Sequence, residues 1–241
     1  MTSTDANVRE SHQPPPLQIG MLLYPGLTPL DLIGPQGVLS IHGQTHLVAR
    51  TLDLVPSDAG ISLKPTTTFD ECPDDLDILF VPGGFGTAEA MEDVEALQFL
   101  KARAPRAKYV TSVCSGSLIL AAAGLLQGYK ATTHWSLYDV LAALDVEVTE
   151  GRVVVDRNRI TGGGVTAGID FGLVLLAALR GDDVAKMTQL ALEYDPAPPF
   201  NAGSPKGAGP ELTALARAFV KDVHAKTMQI AEARRARLAA A

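Results

Sequence analysis

Residues 109–124 constrain the fold of this chain more than any other segment. A run rich in β-branched residues from Tyr109 to Val113 predicts a buried strand, and the apolar stretch after it predicts a helix that stops near Gly124. Cys114 lies between the two and is followed by small residues that allow a sharp turn. This order predicts a nucleophile elbow, with sulfur where hydrolases of the G-x-S-x-G type carry oxygen.

The position of Cys114 indicates a nucleophile. A helix N-terminus presents unpaired N–H groups and the positive end of the helix dipole. Such surroundings lower a cysteine pKa from ~8.5 to between ~3.5 and ~7.5, so we expect a thiolate. The alternative is a buried side chain that acts as a small apolar group, as most free cysteines do.

Asp31 is the second candidate catalytic residue. It follows the first predicted strand and lies between Leu30 and Leu32. A carboxyl group buried among apolar side chains has a raised pKa and can hold a proton near neutral pH. In a parallel sheet, Asp31 and Cys114 should meet at the carboxyl edge, where sites of such folds gather. The alternative role is an acidic residue at the start of a helix.

Composition disfavours several classes of function. The 241 residues carry a formal net charge of −7, which argues against a nucleic-acid surface. No run of about 20 apolar residues predicts a membrane span, and no secretory leader pattern opens the chain. Two cysteines, Cys72 and Cys114, do not make a disulfide framework. We therefore expect a cytoplasmic protein with free thiols.

Apolar segments alternate between strand and helix patterns along most of the chain. Strands are predicted at residues 17–24, 46–52, 77–81, 109–113 and 159–161, with helical segments between most of them. This alternation predicts an α/β fold of three layers with a largely parallel central sheet. We divide the chain into a disordered lead (1–16), a catalytic domain (17–205) and a C-terminal helix (206–241) that packs on the domain or on a second subunit.

Two glycine-rich turns are candidate parts of a substrate pocket. Gly83 and Gly84 follow the strand at 77–81, and Gly163 and Val165 follow the strand at 159–161. Backbone N–H groups in such turns can stabilise developing negative charge, although a tight turn alone would also explain the glycines. Neither cluster matches a phosphate loop or a dinucleotide-binding fingerprint.

Three further polar residues have both a functional and a structural interpretation. His134 either pairs with Cys114 or is a packed histidine at a strand end. Ser115 either positions water or the substrate nitrogen, or it starts a helix. Tyr194 either closes the pocket with its hydroxyl group or packs against the domain. The spacing of the histidines does not fit a metal site.

Residues 17–205 resemble the ThiJ/PfpI superfamily. The motifs that carry the resemblance are Asp31, Pro82-Gly83-Gly84, Ser112-Val-Cys114-Ser-Gly116, Thr132-Thr-His134-Trp135 and Gly162-Gly-Gly164-Val-Thr-Ala-Gly168-Ile-Asp170. The superfamily has a flavodoxin-like fold related to class I glutamine amidotransferases. The chain looks most similar to its isocyanide hydratase branch for three reasons: Asp31 stands where much of the superfamily carries glutamate, the elbow reads Thr-Ser-Val-Cys-Ser-Gly-Ser, and a loop runs from Tyr194 to Pro205. Ser115 replaces the threonine of that branch, and it differs from the histidine of the protease-like branch.

The resemblance implies a homodimeric enzyme that hydrates an isocyanide, R–N≡C, to an N-substituted formamide. In that chemistry Cys114 attacks the terminal carbon to form a thioimidate, and Asp31 first donates a proton and then acts as a base towards water. The resemblance implies no metal, no organic cofactor, no nucleic acid and no membrane among its partners.

Three other functions remain open on the sequence. One is a glyoxalase or deglycase of the same superfamily that acts on small aldehydes. Another is a sensor domain like that of AraC-type regulators, although only about 35 residues follow Pro205, too few for two helix-turn-helix units. The last is an oxidation sensor that uses Cys114.

Overall fold

The computed structural model describes residues 14–240, so most of the predicted N-terminal lead lies outside the described part. Residues 14–16 have no regular structure. The strands are β1 (Leu17–Leu22), β2 (Gly43–Ala49), β3 (Val55–Pro56), β4 (Ser62–Leu63), β5 (Thr67–Thr68), β6 (Ile78–Val81), β7 (Tyr109–Val113), β8 (Lys130–Ala131), β9 (Glu147–Val148), β10 (Val153–Asp156) and β11 (Arg159–Gly162). The helices are α1 (Pro29–Leu39), α2 (Thr87–Ala90), α3 (Val94–Arg103), α4 (Gly116–Ala122), α5 (Tyr138–Ala143), α6 (Ala167–Arg180), α7 (Asp182–Ala191), α8 (Pro205–Phe219) and α9 (Lys221–Ala239).

A seven-stranded sheet forms the centre of the described chain, in the order β10-β11-β7-β6-β1-β2-β5. Every neighbouring pair is parallel except β10 and β11. The helices form two groups, with α1, α6 and α7 in contact with one another and α2, α3, α4, α5 and α9 in the other group. The predicted three-layer, flavodoxin-like α/β fold is therefore confirmed.

The central strands are buried on both faces, as their continuous apolar sequences require. All four residues of β6 are buried, and so are four of the five residues of β7. Phe80 on β6 and Phe171 on α6 are fully buried, with ring centroids 5.6 Å apart. Burying a side chain of this size contributes about 1.5–3 kcal/mol. These buried contacts hold β6 and β7 in place, so the turns that follow the two strands have fixed positions.

The order in which successive strands are added to the sheet reverses between β1 and β6. From β1 it crosses to β2 on one side, and it then returns to β6 and β7 on the other side. Ligands of open parallel sheets bind outside the carboxyl ends of the strands at such a switch point. Asp31, Gly83 and Cys114 all follow these carboxyl ends.

Two element boundaries differ from the sequence-based prediction. The second strand was predicted at residues 46–52, whereas β2 covers Gly43–Ala49. The C-terminal segment, which reads as one long amphipathic helix, forms α8 and α9 with a break at Val220. The two helices on either side of the break differ in burial: α8 has no buried residue, whereas α9 buries Thr227, Ile230 and Ala231.

Helix α9 packs on the domain of its own chain, against α2, α4 and α5. The polar contacts that hold it are His224 with Asp139, Lys226 with Glu89, Arg234 with the carbonyl of Ala122, and Arg235 with Asp145. Exposed pairs of this kind contribute less than about 1 kcal/mol each, so the buried apolar residues contribute most of the docking energy. Among residues 14–240, no helix is long and apolar enough to cross a bilayer.

Candidate active site

Cys114 lies at the turn between β7 and α4, where the sequence predicts a nucleophile elbow. Its φ angle is 56°, a left-handed conformation that costs a non-glycine residue about 1–3 kcal/mol. The Cys114 N–H donates to the carbonyls of Gly162 (3.1 Å) and Gly163 (2.8 Å), which hold the turn in place. A Cβ atom at Gly116 would lie 2.2 Å from the Val81 carbonyl oxygen, so the turn requires glycine there. Surrounding contacts thus force the cysteine into its strained conformation.

Asp31 lies in the first turn of α1, and its side chain is completely buried. Its Oδ2 atom accepts the Gly83 N–H at 3.0 Å, so the carboxyl group binds the neighbouring strand end and not the start of its own helix. The Cys114 thiol is close enough to donate to the same carboxyl group, although no hydrogen bond of good geometry reaches Oδ1. The structure therefore brings the two candidate catalytic side chains together.

Burial dominates the electrostatics of this pair. It raises the pKa of Asp31 from 3.8 to about 7, against the opposing effect of hydrogen bonds from the Cys114 thiol and the Gly83 N–H. Burial and the charge of Asp31 also raise the pKa of Cys114 well above its ordinary value, although the N–H groups of Ser115 and Val165 lower it. These shifts disfavour the resting thiolate that the sequence predicts, because desolvation opposes the effect of a short helix end.

Ser115 belongs to a chain of hydroxyl groups behind the cysteine. Its Oγ accepts the Gly84 N–H at 3.0 Å and lies 2.7 Å from Thr87 Oγ1. Thr87 Oγ1 donates to the Gly84 carbonyl at 2.7 Å, so we assign the Ser115 hydroxyl as the donor to Thr87, with the Gly84 carbonyl as a longer second acceptor at 3.4 Å. The Tyr24 hydroxyl lies 3.3 Å from Thr87 Oγ1, but its hydrogen is donated to the Pro82 carbonyl at 3.0 Å. Ser115 keeps one lone pair that can accept a hydrogen bond.

The glycine turn after β6 supports the catalytic pair and does not offer free N–H groups. The Gly83 N–H is bonded to Asp31 and the Gly84 N–H to Ser115. A Cβ atom at Gly83 would lie 2.6 Å from the Ser115 nitrogen and 2.7 Å from Asp31 Oδ2. The prediction that these two N–H groups stabilise a substrate charge is corrected. The N–H groups that reach the cysteine sulfur belong to Ser115 and Val165.

A cavity of about 170 Å³ lies above the sulfur. Five of the predicted site residues line it: Gly84, Cys114, Ser115, His134 and Val165. The remaining wall is formed by Thr28, Phe85, Thr87, Ser136 and Leu137 from the domain and by Val220, Val223, His224 and Thr227 from the C-terminal segment. Asp31 and Gly83 lie behind the sulfur and do not line the cavity. The cavity is thus mainly apolar, with the thiol on one side.

His134 lines the cavity without contacting the sulfur through a hydrogen bond. Its Nδ1 atom accepts the Ser136 N–H at 3.4 Å and lies 2.8 Å from the Ser136 hydroxyl. Burial lowers the pKa of His134, so the ring is neutral and carries its hydrogen on Nε2. Its Cδ2 atom lies against Gly164, where a Cβ atom would be 2.8 Å away. This packing fits the structural interpretation of the residue.

Tyr194 and Gly163 lie outside the cavity wall. The Tyr194 hydroxyl donates to Asp170 at 2.9 Å, and Arg152 binds the same carboxylate at 2.6 Å. The expectation that Tyr194 closes the pocket is corrected for the single chain, because this ion pair holds its hydroxyl elsewhere. The Gly163 carbonyl accepts the Cys114 N–H and its own N–H donates to Arg152, so Gly163 positions the turn.

The sequence analysis does not identify several residues of the site. Tyr24 and Thr87 flank glycine-rich turns, but no local pattern links them to Ser115. Val223 and Thr227 both line the cavity, and their four-residue separation places them on one face of a helix. The same separation is also typical of an ordinary packing face. Among the described residues, no group of three or more His, Cys, Asp or Glu side chains could hold a metal ion.

Comparison with known proteins identifies the family of the chain. The DJ-1/PfpI family matches residues 18–178. The isonitrile hydratase of Pseudomonas putida is 54% identical over 194 residues, which cover 80% of this chain and 85% of that protein. A crystal structure of a ThiJ/PfpI family protein from Pseudomonas syringae superposes with a TM-score of 0.89 at 50% identity, and the match covers 96% of this chain and 97% of that one.

A second kind of relative shares only part of its length with this chain. The HTH-type transcriptional regulator GbdR of Pseudomonas aeruginosa is 30% identical over 183 residues, which cover 70% of this chain but 48% of the regulator. The family match, the extent of the enzyme relative and the observed fold confirm the resemblance that the sequence motifs indicate. The chain belongs to the DJ-1/PfpI family.

Proposed function

We propose that the protein is an isocyanide hydratase, which converts R–N≡C and water into R–NH–CHO. The observation that carries the proposal is the buried pair of Cys114 and Asp31 beneath an apolar cavity, with the Asp31 pKa raised to about 7. An isocyanide needs a nucleophile and a proton donor at the same carbon atom, and this pair supplies both. The 54% identical relative named isonitrile hydratase supports the same conclusion.

In the proposed first half-reaction, the thiol of Cys114 transfers its proton to Asp31 as the sulfur attacks the terminal carbon of the isocyanide. A new S–C bond forms, and the electron pair left on that carbon takes the proton back from Asp31. The product is a thioimidate, R–N=CH–S, covalently bound to the enzyme. A carboxyl group with a pKa of about 7 suits this exchange because it gains and loses a proton at neutral pH.

In the proposed second half-reaction, Asp31 takes a proton from water and the hydroxide adds to the thioimidate carbon. The proton of the added hydroxyl group moves to the nitrogen, the C=O bond forms as the C–S bond breaks, and the sulfur leaves with its electron pair. The leaving sulfur recovers the proton that Asp31 holds, and the released product is the formamide. One isocyanide and one water molecule are consumed and one formamide is formed, so the atoms balance.

Ser115 is proposed to position the water. Its hydroxyl hydrogen is directed to Thr87, so the oxygen faces the cavity as an acceptor. An acceptor fixes a hydrogen of the water molecule and leaves the water oxygen free to attack. The N–H groups of Ser115 and Val165, which lower the pKa of Cys114, are placed to stabilise the departing sulfur.

The decisive experiment measures formamide production from a panel of alkyl and aryl isocyanides. Cys114→Ala should abolish turnover, and Asp31→Asn should lower kcat by at least about 100-fold, the smaller end of general acid–base contributions. Cys72→Ala is the matched control, because Cys72 is the other free cysteine and does not line the cavity. Turnover that survives in Cys114→Ala would contradict the proposal.

The same protein is assayed with methylglyoxal, which tests the glyoxalase or deglycase alternative. Loss of methylglyoxal without isocyanide turnover would favour the aldehyde chemistry. Hydrogen peroxide treatment tests the oxidation sensor, since a sensor requires the thiol to be oxidised readily at neutral pH. The raised pKa of Cys114 predicts slow oxidation, because the thiolate is the reactive species.

We also propose that the protein is a homodimer located in the cytoplasm. Helix α8 carries exposed apolar side chains at Leu212, Leu215 and Phe219, and Phe219 is 85% exposed. Contiguous apolar surface of this kind marks interaction sites. The free cysteines Cys72 and Cys114 suit a reducing compartment. Sedimentation analysis at micromolar concentration tests the dimer, and a single monomeric species would contradict it.

A further inference from the structure

The cavity above Cys114 is completed by a part of the chain that lies beyond the family region. The family match ends at residue 178, in α6. Val220, Val223, His224 and Thr227 nevertheless line the cavity. The reacting groups therefore come from the family fold, whereas one wall of the substrate cavity comes from the C-terminal segment.

Three of the four wall residues, Val220, Val223 and Thr227, share one face of the segment. Positions 220, 223 and 227 are separated by three and four residues, the spacing that places side chains on one side of a helix. The Thr227 hydroxyl donates to the Val223 carbonyl at 2.7 Å, so it is satisfied within its own helix. The wall consequently presents two valines and a hydroxyl group that needs no partner from a ligand.

The wall is held firmly against the domain. Ile230 and Ala231 are buried beneath it, and the His224 ring is bonded to Asp139 at 2.9 Å beside the cavity. Lys226 pairs with Glu89 on α2. Contacts on both sides of the wall residues thus fix their distance from the sulfur.

We propose that Val220, Val223 and Thr227 determine which isocyanides the enzyme accepts, by limiting the substituent R to an apolar group of about one six-membered ring. The proposal rests on the proposed function for the identity of the reacting group. A cavity of about 150 Å³ lined by apolar side chains holds one benzene molecule, and this cavity measures about 170 Å³. A fused bicyclic substituent exceeds this volume, so it must press against the wall or extend past it towards solvent.

The test changes the size of the wall at one position. Val223 is 39% exposed, so Val223→Phe and Val223→Ala alter the cavity without breaking the core. Matched substitutions at Val94, which is 60% exposed on α3 and away from the cavity, serve as controls. The substrates are tert-butyl, cyclohexyl and 2-naphthyl isocyanide, and the measured quantity is kcat/KM for formamide formation.

Val223→Phe should lower kcat/KM for cyclohexyl isocyanide by about 10-fold or more, with a smaller loss for tert-butyl isocyanide. Val223→Ala should raise kcat/KM for 2-naphthyl isocyanide by about 10-fold. The Val94 variants should leave all three values unchanged. An unaltered size preference in both Val223 variants overturns the proposal.

Alkylation of Cys114 separates this inference from the proposed function. Iodoacetamide and N-phenylmaleimide both form a bond to the sulfur, the first with loss of iodide and the second by addition, and peptide mass spectrometry reads modification at Cys114 alone. Val223→Ala should speed the larger reagent relative to the smaller one, and Val223→Phe should slow it. If no isocyanide is hydrated but the Val223 variants change the ratio of the two alkylation rates, the hydratase assignment fails and the proposal that the wall limits size is supported. If isocyanides are hydrated and the ratios and size preferences stay fixed, the wall proposal fails.

Discussion

Replacing Asp31 by asparagine should make the protein more stable at high pH and leave its stability at low pH nearly unchanged. Asparagine has almost the same shape, and its side-chain oxygen can still accept the Gly83 N–H. Burial raises the pKa of Asp31 to about 7 in the folded protein, against 3.8 for a solvated aspartate such as that of the unfolded chain. At ~1.4 kcal/mol per pH unit, this difference corresponds to roughly 4 kcal/mol.

The sign follows from the protons bound in each state. Between about pH 4 and pH 7 the folded protein keeps the Asp31 proton, whereas the unfolded chain has lost it. The free energy of unfolding of the wild type therefore falls as the pH rises through this window, and the full penalty applies above pH 7. The asparagine variant does not titrate, so its advantage should grow from near zero at pH 4 to between about 2 and 4 kcal/mol at pH 8.5.

Urea denaturation at pH 4.5, 6, 7 and 8.5 measures this difference, with all samples at one protein concentration. Fluorescence follows unfolding through Trp135, the single tryptophan of the chain. Asp195→Asn is the matched control, because Asp195 is exposed in the loop before α8 and should show no such trend. The reasoning is refuted if the free energies of unfolding of wild type and Asp31→Asn change in parallel with pH. It is also refuted if the wild type becomes more stable than the variant as the pH rises.

Three further substitutions test the surroundings of the pair. Gly83→Ala should lower the stability by about 1–3 kcal/mol and reduce kcat, because the new methyl group would displace Asp31; urea denaturation and turnover measure both. Thr87→Val removes the hydroxyl that receives the Ser115 hydrogen, so the free energy of unfolding should fall by about 1–3 kcal/mol, and an unchanged value would contradict the observed network. Lys226→Ala breaks an exposed pair and should change stability by less than about 1 kcal/mol in the same assay.

The parts of the site that the sequence predicts are those encoded by local patterns. Cys114 lies where a strand, small residues and a helix follow one another, and these preferences depend on neighbours in the chain. Asp31 stands out because it is a carboxyl group among leucines shortly after a buried strand, although a helix-start acid has the same local pattern. The largely parallel sheet follows from the alternation of apolar strands with helices.

The parts that the sequence does not predict depend on contacts between distant segments. The contacts of Thr87 with Tyr24 and Ser115 join three segments that are far apart in the sequence, so no local spacing encodes them. The pKa of Cys114 depends on how completely the surrounding elements exclude water, and a motif carries no measure of desolvation. The break at Val220 likewise depends on the surface that α9 finds on α4 and α5, because the apolar stripe alone favours one continuous helix.

The docking of α9 also has a consequence for how the protein is made. Every strand of the central sheet precedes α9 in the chain, so the ribosome completes the elbow before it completes the cavity wall. A nascent chain that has already folded its sheet carries an open sulfur, because Val223 and Thr227 are not yet in place. The sulfur of Cys114 is therefore more exposed before α9 docks than after it.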